Sequence, residues 1–383
     1  MKNLSEIIRR EAAQRGVLSF ARFMELALYC PVHGYYETKK DNPGRHGDFY
    51  TSVGVGELFG QLLAFQFAEW LETLNPPARR SAAKTAQPLA APKRSAGGST
   101  LNLVEAGAHD GQLARDILTW LQLNRPQLFG QIEYWIIEPS ARRQEWQKET
   151  LKKFAPRVRW LSRFNDSTIQ RFNAIIFSNE LLDAMPVHRF GWDAAAKNWF
   201  EWGVTVEREK FAWTKIQSPE SDLPSAICHL PSALLEVFPD NYTIETSPAA
   251  ENWWREAAGI LAHGKLLAID YGHTAAEIFS PGRTRGTLRA YFRHHVSDDL
   301  LANVGEQDLT AHVNFSAIQK AGEDAGLKTE NFCTQPQFLT QILGNAVKEK
   351  NFGEWNARRT RQFQTLTHPE HLGRAFRVLV QSR

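Results

Sequence analysis

The 383-residue sequence has only three cysteines, and no motif pairs them. Cys30, Cys228 and Cys333 lie far apart, without a CxxC motif or a histidine spacing typical of metal ligands. This set predicts reduced thiols in a bacterial cytoplasmic protein and no metal site. No apolar run approaches the roughly 18 residues that span a bilayer. Glu6 and Glu11 lie in an N-terminal segment without an apolar core, which argues against a signal or transit peptide.

The chain also has little net charge, +3 from 45 basic and 42 acidic side chains. Residues 75–100 carry five basic and no acidic side chains, so the other residues carry 40 basic and 42 acidic ones. This balance predicts no basic face that could follow a nucleic-acid backbone, and we expect no nucleic-acid partner. Segment 75–100 is rich in Pro, Ala and Ser without apolar periodicity, which predicts a flexible basic insertion. The sequence does not indicate an oligomeric state.

Enough apolar residues are present for a large core, with 43% hydrophobic and 11% aromatic residues. Residues 1–74 show helical periodicity, strongest over 57–74, and predict an N-terminal helical region. From residue 101 onward, short apolar strands alternate with helical patterns. The predicted strands are 101–105, 132–138, 158–161, 174–179 and 265–271, and the first helices are 111–123 and 140–154. This alternation predicts an α/β domain over 101–383, with a mostly parallel sheet and helices on both faces.

Two later regions complete this prediction. Residues 198–216 alternate apolar and polar positions around Phe200, Trp202 and Val204, which predicts an inserted β-hairpin. The last elements are a helix at 315–325, a strand at 328–333, helices at 335–346 and 354–366, and a strand at 375–381. Five parallel strands followed by this late pair fit a seven-stranded, Rossmann-like sheet.

The strongest ligand signal is a glycine turn between the first strand and its helix. The strand ends at Glu105, and Gly107 would let a ligand approach the backbone while Gly111 lets the helix pack tightly. The second strand ends at Glu138, whose carboxylate can accept both ribose hydroxyls of an adenosine. The G-x-x-x-G spacing and Asp110 disfavour a dinucleotide pyrophosphate and favour an adenosyl sulfonium, S-adenosylmethionine, with Glu105 ordering the turn and the methionine ammonium. An ordinary strand-to-helix turn is the alternative interpretation.

Polar residues also follow the fourth strand. In open α/β sheets ligands bind at the carboxyl ends of strands, so Asn179 and Glu180 are candidates for the ligand site and for holding an acceptor nitrogen. Asp183 could instead cap the following turn.

A polar loop precedes the helix at 57–74. Its residues Asp48, Phe49 and Thr51 are candidates for covering the cofactor, with the aromatic ring stacking on adenine. A purely structural loop is the alternative interpretation.

Several segments resemble one known family. Residues 179–186, Asn-Glu-Leu-Leu-Asp-Ala-Met-Pro, resemble the NE-(F/L)-(F/L)-DA-(L/M)-P motif of the MidA-like methyltransferases. Further similar segments are 20–29, 33–36, 47–52, 58–60, 269–272, 286–291 and 305–315. The similarity runs from about residue 18 to 345, apart from 75–100. One departure is that Ala108-His109 stands where the family has Pro-Gly in its E-x-G-P-G-x-G turn.

The resemblance implies a class I methyltransferase fold with S-adenosylmethionine as cofactor. For the mitochondrial member, a complex I assembly factor, the resemblance implies methylation of an arginine on a complex I subunit. For this chain it implies a protein arginine acceptor, on a complex I-type subunit or on another protein. An arginine arrives charged, so carboxylates would hold its guanidinium group. Glu180 is the first candidate and Asp308, or Glu306, the second, with the proton leaving to Asp308 or His312. A hydrogen-bonded loop is the alternative interpretation of residues 306–312.

Other functions remain open at this stage. The imidazole of His109 in the glycine turn makes an assembly chaperone without catalysis one alternative. A small-molecule N- or O-methyltransferase is another, and an NAD-dependent enzyme is disfavoured by the glycine spacing.

Overall fold

The computed structural model describes residues 3–38, 51–74, 101–164, 171–217, 223–228, 230–293, 295–349 and 352–383. The predicted insertion at 75–100, and Asp48 and Phe49, lie outside the described residues. The described helices are α1 (Leu4–Arg15), α2 (Phe20–Tyr29), α3 (Tyr35–Thr38), α4 (Ser52–Val55), α5 (Glu57–Leu74), α6 (Gln112–Asn124), α7 (Pro126–Phe129), α8 (Ala141–Thr150), α9 (Ser225–Cys228), α10 (Ser232–Leu235), α11 (Pro248–Ile260), α12 (Ala275–Ile278), α13 (Phe315–Asp324), α14 (Gln335–Ala346) and α15 (Ala357–Thr367). The described strands are β1 (Leu18–Ser19), β2 (Leu101–Ala106), β3 (Ile132–Ile137), β4 (Val158–Leu161), β5 (Phe172–Asn179), β6 (His188–Asp193), β7 (Asn198–Glu207), β8 (Lys210–Gln217), β9 (Thr243–Thr246), β10 (Leu261–His273), β11 (Arg289–Phe292), β12 (His295–Ser297), β13 (Asp308–Thr310), β14 (Val313–Asn314), β15 (Lys328–Thr334) and β16 (Phe376–Ser382).

The central sheet has the predicted α/β architecture. Its strands follow the order β15-β16-β10-β5-β2-β3-β4, and the two-residue strand β14 pairs with β10. Strands β4, β3, β2, β5 and β10 run parallel, whereas β16 runs antiparallel to both of its neighbours. Every residue of β2 is buried, as expected of a strand covered by helices on both faces.

Helices cover both faces of this sheet and enclose two apolar clusters. On one face, α5, α6, α14 and α15 pack over residues such as Phe177, whose ring centroid lies 4.8 Å from that of Phe67. On the other face, α11 and α13 pack around Trp254, which is fully buried and donates to Gln381 Oε1. The chain therefore buries the two-sided core that the alternating pattern predicts.

The hairpin predicted at 198–216 is β7–β8, and it belongs to a larger second sheet. This sheet has the order β1-β7-β6-β9, with β8 paired to β7. Helices α1 and α2 pack on it, with Leu4, Ile8 and Phe23 in one cluster with Val204. The N-terminal helical region is thus anchored to strands that lie about 200 residues later in the chain.

Some element boundaries differ from the sequence predictions for local reasons. The helix predicted to reach residue 154 ends at Thr150 and continues as a 3-10 helix at Lys152–Arg157, which contains Pro156. Helix α15 begins at Ala357 instead of 354, because the side chain of Asn356 caps it by accepting from Arg359 N. Among the described residues, no helix is both long enough and apolar enough to cross a bilayer.

Candidate active site

The glycine turn after β2 has the backbone geometry that only glycine adopts without strain. Gly107 and Gly111 have φ of 76° and 85°, and a Cβ on Gly107 would lie 3.0 Å from the Leu181 side chain. His109 also has a positive φ of 45°, an uncommon conformation for a side-chain-bearing residue. Its ring lies against Trp146 of α8, with the centroids 6.2 Å apart.

Glu138 lies directly after β3, at the predicted place, and is 1% exposed. Its Oε1 accepts from Ser140 N at 2.9 Å and forms an ion pair with Arg143 Nη2 at 3.0 Å. Its Oε2 accepts from Gln147 Nε2 at 3.1 Å. The same Gln147 amide donates to His109 O at 3.0 Å, so one buried side chain connects the glycine turn to the second strand end.

Gln147 and Arg143 were missed by sequence reasoning. Both lie on α8, where their spacing from Glu138 gave no signal, since polar residues on a helix are usually solvated. Only the return of α8 across the carboxyl end of the sheet brings them to the carboxylate.

Glu105 has a different position from the one expected for a residue that orders the turn. It is 2% exposed, and its Oε2 accepts from Tyr134 Oη at 2.7 Å on the neighbouring strand β3. Burial raises its pKa to about 8. This hydrogen bond ties the Glu105 side chain to β3. The predicted role of Glu105 toward a methionine ammonium stays a prediction.

Glu180 follows β5 with a positive φ of 52°. Its Oε1 accepts from Ser52 N and from Asn179 Nδ2, both at 3.0 Å. Its Oε2 is buried and has no hydrogen-bond partner among the described residues. Burial raises the pKa of Glu180 to about 8, against a smaller lowering effect of these hydrogen bonds. Such strain and burial at a strand end are typical of functional sites.

The turn after Glu180 is capped from a neighbouring strand. Asp270 on β10 is fully buried, and its Oδ2 accepts from the backbone N–H groups of Leu181 and Leu182 at 3.1 and 2.8 Å. The predicted role of Asp183 as a cap of the turn that follows it stays a prediction, and its side chain lines a cavity. Burial and repulsion from Asp270 raise the pKa of Asp183 well above its usual value.

Asp308 begins β13 and lies near Asp183, as their electrostatic interaction shows. Its Oδ1 accepts from Tyr36 Oη at 2.8 Å, and Tyr36 stacks on Tyr29 with ring centroids 5.5 Å apart. The predicted candidates Glu180 and Asp308 therefore belong to one acidic region, covered from the N-terminal side by α2 and α3. Glu306, the other candidate in this loop, is exposed.

A cavity of about 590 Å³ adjoins this acidic region. Its lining includes Asp183, Tyr271, Tyr291, His312 and His371. His312 Nδ1 is buried without a hydrogen-bond partner among the described residues, and burial lowers the pKa of His312 to about 4. The structure thus brings His312 to the acidic region as a neutral imidazole at neutral pH.

Thr51 has a structural contact in the loop predicted to cover the cofactor. Its Oγ1 accepts from Gly54 N at 3.0 Å and caps α4. Its neighbour Ser52 belongs to the same predicted loop and was not singled out as a site residue, but it is the residue whose backbone N–H contacts Glu180. The predicted roles of Asp48 and Phe49 fall outside the described residues.

The carboxyl ends of β2 and β5 suit S-adenosylmethionine. Buried polar atoms without hydrogen-bond partners in the described parts of the chain cluster there: Ser178 Oγ, Asn179 Oδ1, Glu180 Oε2 and His109 Nε2. Buried polar atoms are normally hydrogen-bonded, and these atoms can all accept, so this set indicates a ligand that donates hydrogen bonds. No group of side chains in the described ranges could hold a metal ion.

The sheet order, the glycine turn and these polar strand ends define a class I S-adenosylmethionine-dependent methyltransferase. Residues 63–333 match the model of a family described as "Putative S-adenosyl-L-methionine-dependent methyltransferase". The chain belongs to this family, and its cofactor is S-adenosylmethionine.

Individual relatives agree with this assignment. A Burkholderia thailandensis protein solved with S-adenosyl-homocysteine bound is similar at a TM-score of 0.80 and 29% identity, covering 99% of this chain and 92% of that one. The zebrafish (Danio rerio) protein arginine methyltransferase NDUFAF7, mitochondrial, is 26% identical over 98% of this chain and 86% of its own length. The human protein of that name is 26% identical over 80% of this chain and 66% of its own.

Proposed function

We propose that this methyltransferase transfers its methyl group to an arginine side chain of a protein, with a respiratory complex I-type subunit as the first candidate acceptor. The observation that carries the proposal is the charge of the acceptor region. Asp183 and Asp270 are buried next to Glu180, whose Oε2 is also buried, and none of the three forms an ion pair with a lysine or arginine in the described parts of the chain.

Buried carboxylates normally require a cationic partner, because removing them from water is unfavourable. Here burial raises the pKa of Glu180 to about 8 and raises the pKa values of Asp183 and Asp270. A cation that enters beside them would restore ionisation and bind by charge-assisted hydrogen bonds. The guanidinium group fits this requirement, since it is planar, presents several N–H donors and stays charged at neutral pH.

Different residues would bind the cofactor at one end of the site and orient the acceptor at the other end. Glu138 and the backbone of the glycine turn would hold the ribose and the methionine moiety, and the bound cofactor supplies an electrophilic methyl sulfonium. Asn179 Oδ1 and Glu180 Oε2 face the junction between cofactor and acceptor as unpartnered acceptors within the described residues. Glu180 would orient the guanidinium and draw charge away from the attacking nitrogen.

The acceptor nitrogen must lose a proton as the N–methyl bond forms. We assign this proton to Asp308, which Tyr36 holds by a 2.8 Å hydrogen bond. The low pKa of His312, about 4, makes its imidazole a weak base. His312 therefore serves as a neutral hydrogen-bond acceptor on the cavity wall beside Asp183.

The names of the relatives support the acceptor class. The zebrafish and human proteins are called protein arginine methyltransferases, and the motif around Glu180 resembles that of their family. The cavity beside Asp183, about 590 Å³, is in the size range of small-ligand pockets and so can hold an extended side chain.

The test is methyl transfer from tritiated S-adenosylmethionine into the proteins of a host lysate, with the Glu180→Gln variant as control. We expect a discrete labelled protein band with wild type, a weaker one with the variant, and methylarginine after acid hydrolysis of the band. Label confined to small metabolites would overturn the protein acceptor, and label on another residue type would overturn arginine.

A further inference from the structure

The carboxylate assigned to the cofactor ribose already has a cationic partner within the chain. Glu138 Oε1 lies 3.0 Å from Arg143 Nη2 and accepts from Ser140 N at 2.9 Å, while Oε2 accepts from Gln147 Nε2 at 3.1 Å. A carboxylate offers about four acceptor positions. Two of them accept hydrogen bonds, and the guanidinium group of Arg143, ion-paired at 3.0 Å, occupies the space beside Oε1 that a ribose hydroxyl would need.

Of the three partners, Arg143 is the one with the fewest contacts that hold it in place. Ser140 N belongs to the backbone at the start of α8, where the Ser140 side chain also caps the helix. Gln147 is fully buried and held by two further contacts, to His109 O and from Trp160 Nε1. Arg143 is a long side chain whose Nε has no hydrogen-bond partner among the described residues.

A second carboxylate is ready to receive Arg143. Glu37 Oε1 lies 3.8 Å from Arg143 Nε, and both side chains are about nine-tenths buried. Glu37 is itself held in place, since its Oε2 accepts from Ser140 Oγ at 2.8 Å and its backbone carbonyl accepts from Arg142 at 2.8 Å. A small rotation of the guanidinium group toward Glu37 would keep it paired, so the movement leaves no buried charge uncompensated.

We propose that Arg143 competes with the cofactor ribose for Glu138 and transfers to Glu37 when the ribose hydroxyls take its place. The proposal rests on the assignment of Glu138 to the ribose. It makes Arg143 a residue that sets cofactor affinity, and it links ribose binding to α3, the part of the N-terminal region that carries Glu37.

A purely structural role for Arg143 predicts that its substitution weakens cofactor binding, whereas the proposal predicts tighter binding. Arg143→Met removes the competitor, and S-adenosylhomocysteine should bind about fivefold tighter or more by isothermal titration at pH 8.5. Alkaline pH keeps Glu138 ionised, because burial raises the pKa of that carboxyl and Arg143 lowers it. Arg159→Met, which removes an equal charge from an exposed position on β4, is the matched control and should leave the affinity unchanged.

A second variant tests the receiving carboxylate without depending on how well the first one folds. Glu37→Gln retains the hydrogen bond from Ser140 Oγ but weakens the alternative position for Arg143, so S-adenosylhomocysteine should bind more weakly. The same affinity changes should appear with adenosine and vanish with 2′,3′-dideoxyadenosine, which has no hydroxyls to place on Glu138.

Weaker or unchanged binding of S-adenosylhomocysteine to a folded Arg143→Met variant would overturn the competition. So would an unchanged affinity in Glu37→Gln. Neither result would contradict the methyltransferase assignment. The assignment of Glu138 to the ribose is tested separately, and it is wrong if Glu138→Ala leaves the affinity unchanged.

Discussion

Replacement of Glu180 by glutamine separates the charge of this side chain from its shape. Glu180 Oε1 accepts from Ser52 N and Asn179 Nδ2, and the amide oxygen of glutamine can accept the same two hydrogen bonds. Only Oε2, buried without a partner among the described residues, changes from an acceptor to a donor. We therefore expect a folded variant that still binds S-adenosylhomocysteine but transfers methyl groups slowly.

The loss of turnover follows from the hydrogen bond that Oε2 would make to a cationic acceptor. A charge-assisted hydrogen bond contributes about 1.5–3 kcal/mol, which corresponds to a decrease in kcat/KM of roughly 10- to 150-fold. The tritiated methyl-transfer assay measures this decrease. Glu306→Gln, the same chemical change at an exposed position of the acidic loop, is the control and should leave kcat/KM unchanged.

The same variant should change the pH dependence of stability. The pKa of Glu180 is raised by burial from 4.5 to about 8, so Glu180 favours folding fully below pH 4.5, and this contribution is lost as pH rises to about 8. At about 1.36 kcal/mol per pKa unit the whole loss is on the order of 5 kcal/mol. Glutamine does not titrate, so the variant should gain stability relative to wild type between pH 6 and pH 9.

Thermal unfolding of both proteins at the two pH values measures this difference. A variant that turns over as fast as wild type would remove Glu180 from the acceptor site. An unfolding temperature difference that is the same at pH 6 and pH 9 would show that the Glu180 carboxyl is not buried as described.

Three further predictions concern the cofactor. Glu138→Ala should weaken S-adenosylhomocysteine binding by about 1.5–3 kcal/mol, measured by calorimetry, since the ribose loses charge-assisted hydrogen bonds; unchanged affinity in a folded variant would contradict this. S-adenosylmethionine should release more protons on binding at pH 7.5 than S-adenosylhomocysteine, because its sulfonium favours ionised Glu180. Calorimetric titrations in two buffers of different ionisation enthalpy measure the number of protons released. Glu180→Gln should abolish the difference between the two ligands. His109→Gly should raise the free energy of unfolding by roughly 1 kcal/mol, because glycine adopts the positive φ without strain. The affinity for S-adenosylhomocysteine should stay unchanged, since the imidazole ring packs on Trp146. A large gain in affinity would mean that the imidazole crowds the cofactor.

The local part of the site could be predicted from sequence because its signals are local. Gly107 and Gly111 lie within one turn, and their positive φ values are the conformations that a glycine pair between a strand and a helix indicates. Glu138 lies within one residue of the predicted strand end for the same reason. Periodicity likewise located the central strands, since buried parallel strands are short apolar runs.

What could not be predicted depends on contacts between distant segments. Strands β6 and β9 are short, and β6 pairs with a partner about 55 residues later, so the hairpin was visible but its sheet was not. Asp270 caps the turn after Glu180 from a neighbouring strand that follows much later in the chain, so no local signal indicates this contact. From the sequence alone, Gln147 has the pattern of a solvent-exposed helix residue. Only the position of α8 beside Glu138 in the structure shows that it contacts this carboxylate.

The second sheet is connected to the candidate active site through the N-terminal region. Each of three contacts from this region reaches the site: Ser52 N to Glu180, Tyr36 to Asp308, and Glu37 to Ser140 beside Glu138. Tyr36 on α3 belongs to one apolar cluster with α1, α2, β7 and β8, so these elements support its contact with Asp308. The sheet formed by the strands between β5 and β10 therefore supports α3, whose Tyr36 and Glu37 accept or donate hydrogen bonds at Asp308 and Ser140. A methyltransferase domain without this inserted sheet would lose support for the contact between Tyr36 and Asp308, whereas Glu138 would keep its partners Ser140, Arg143 and Gln147.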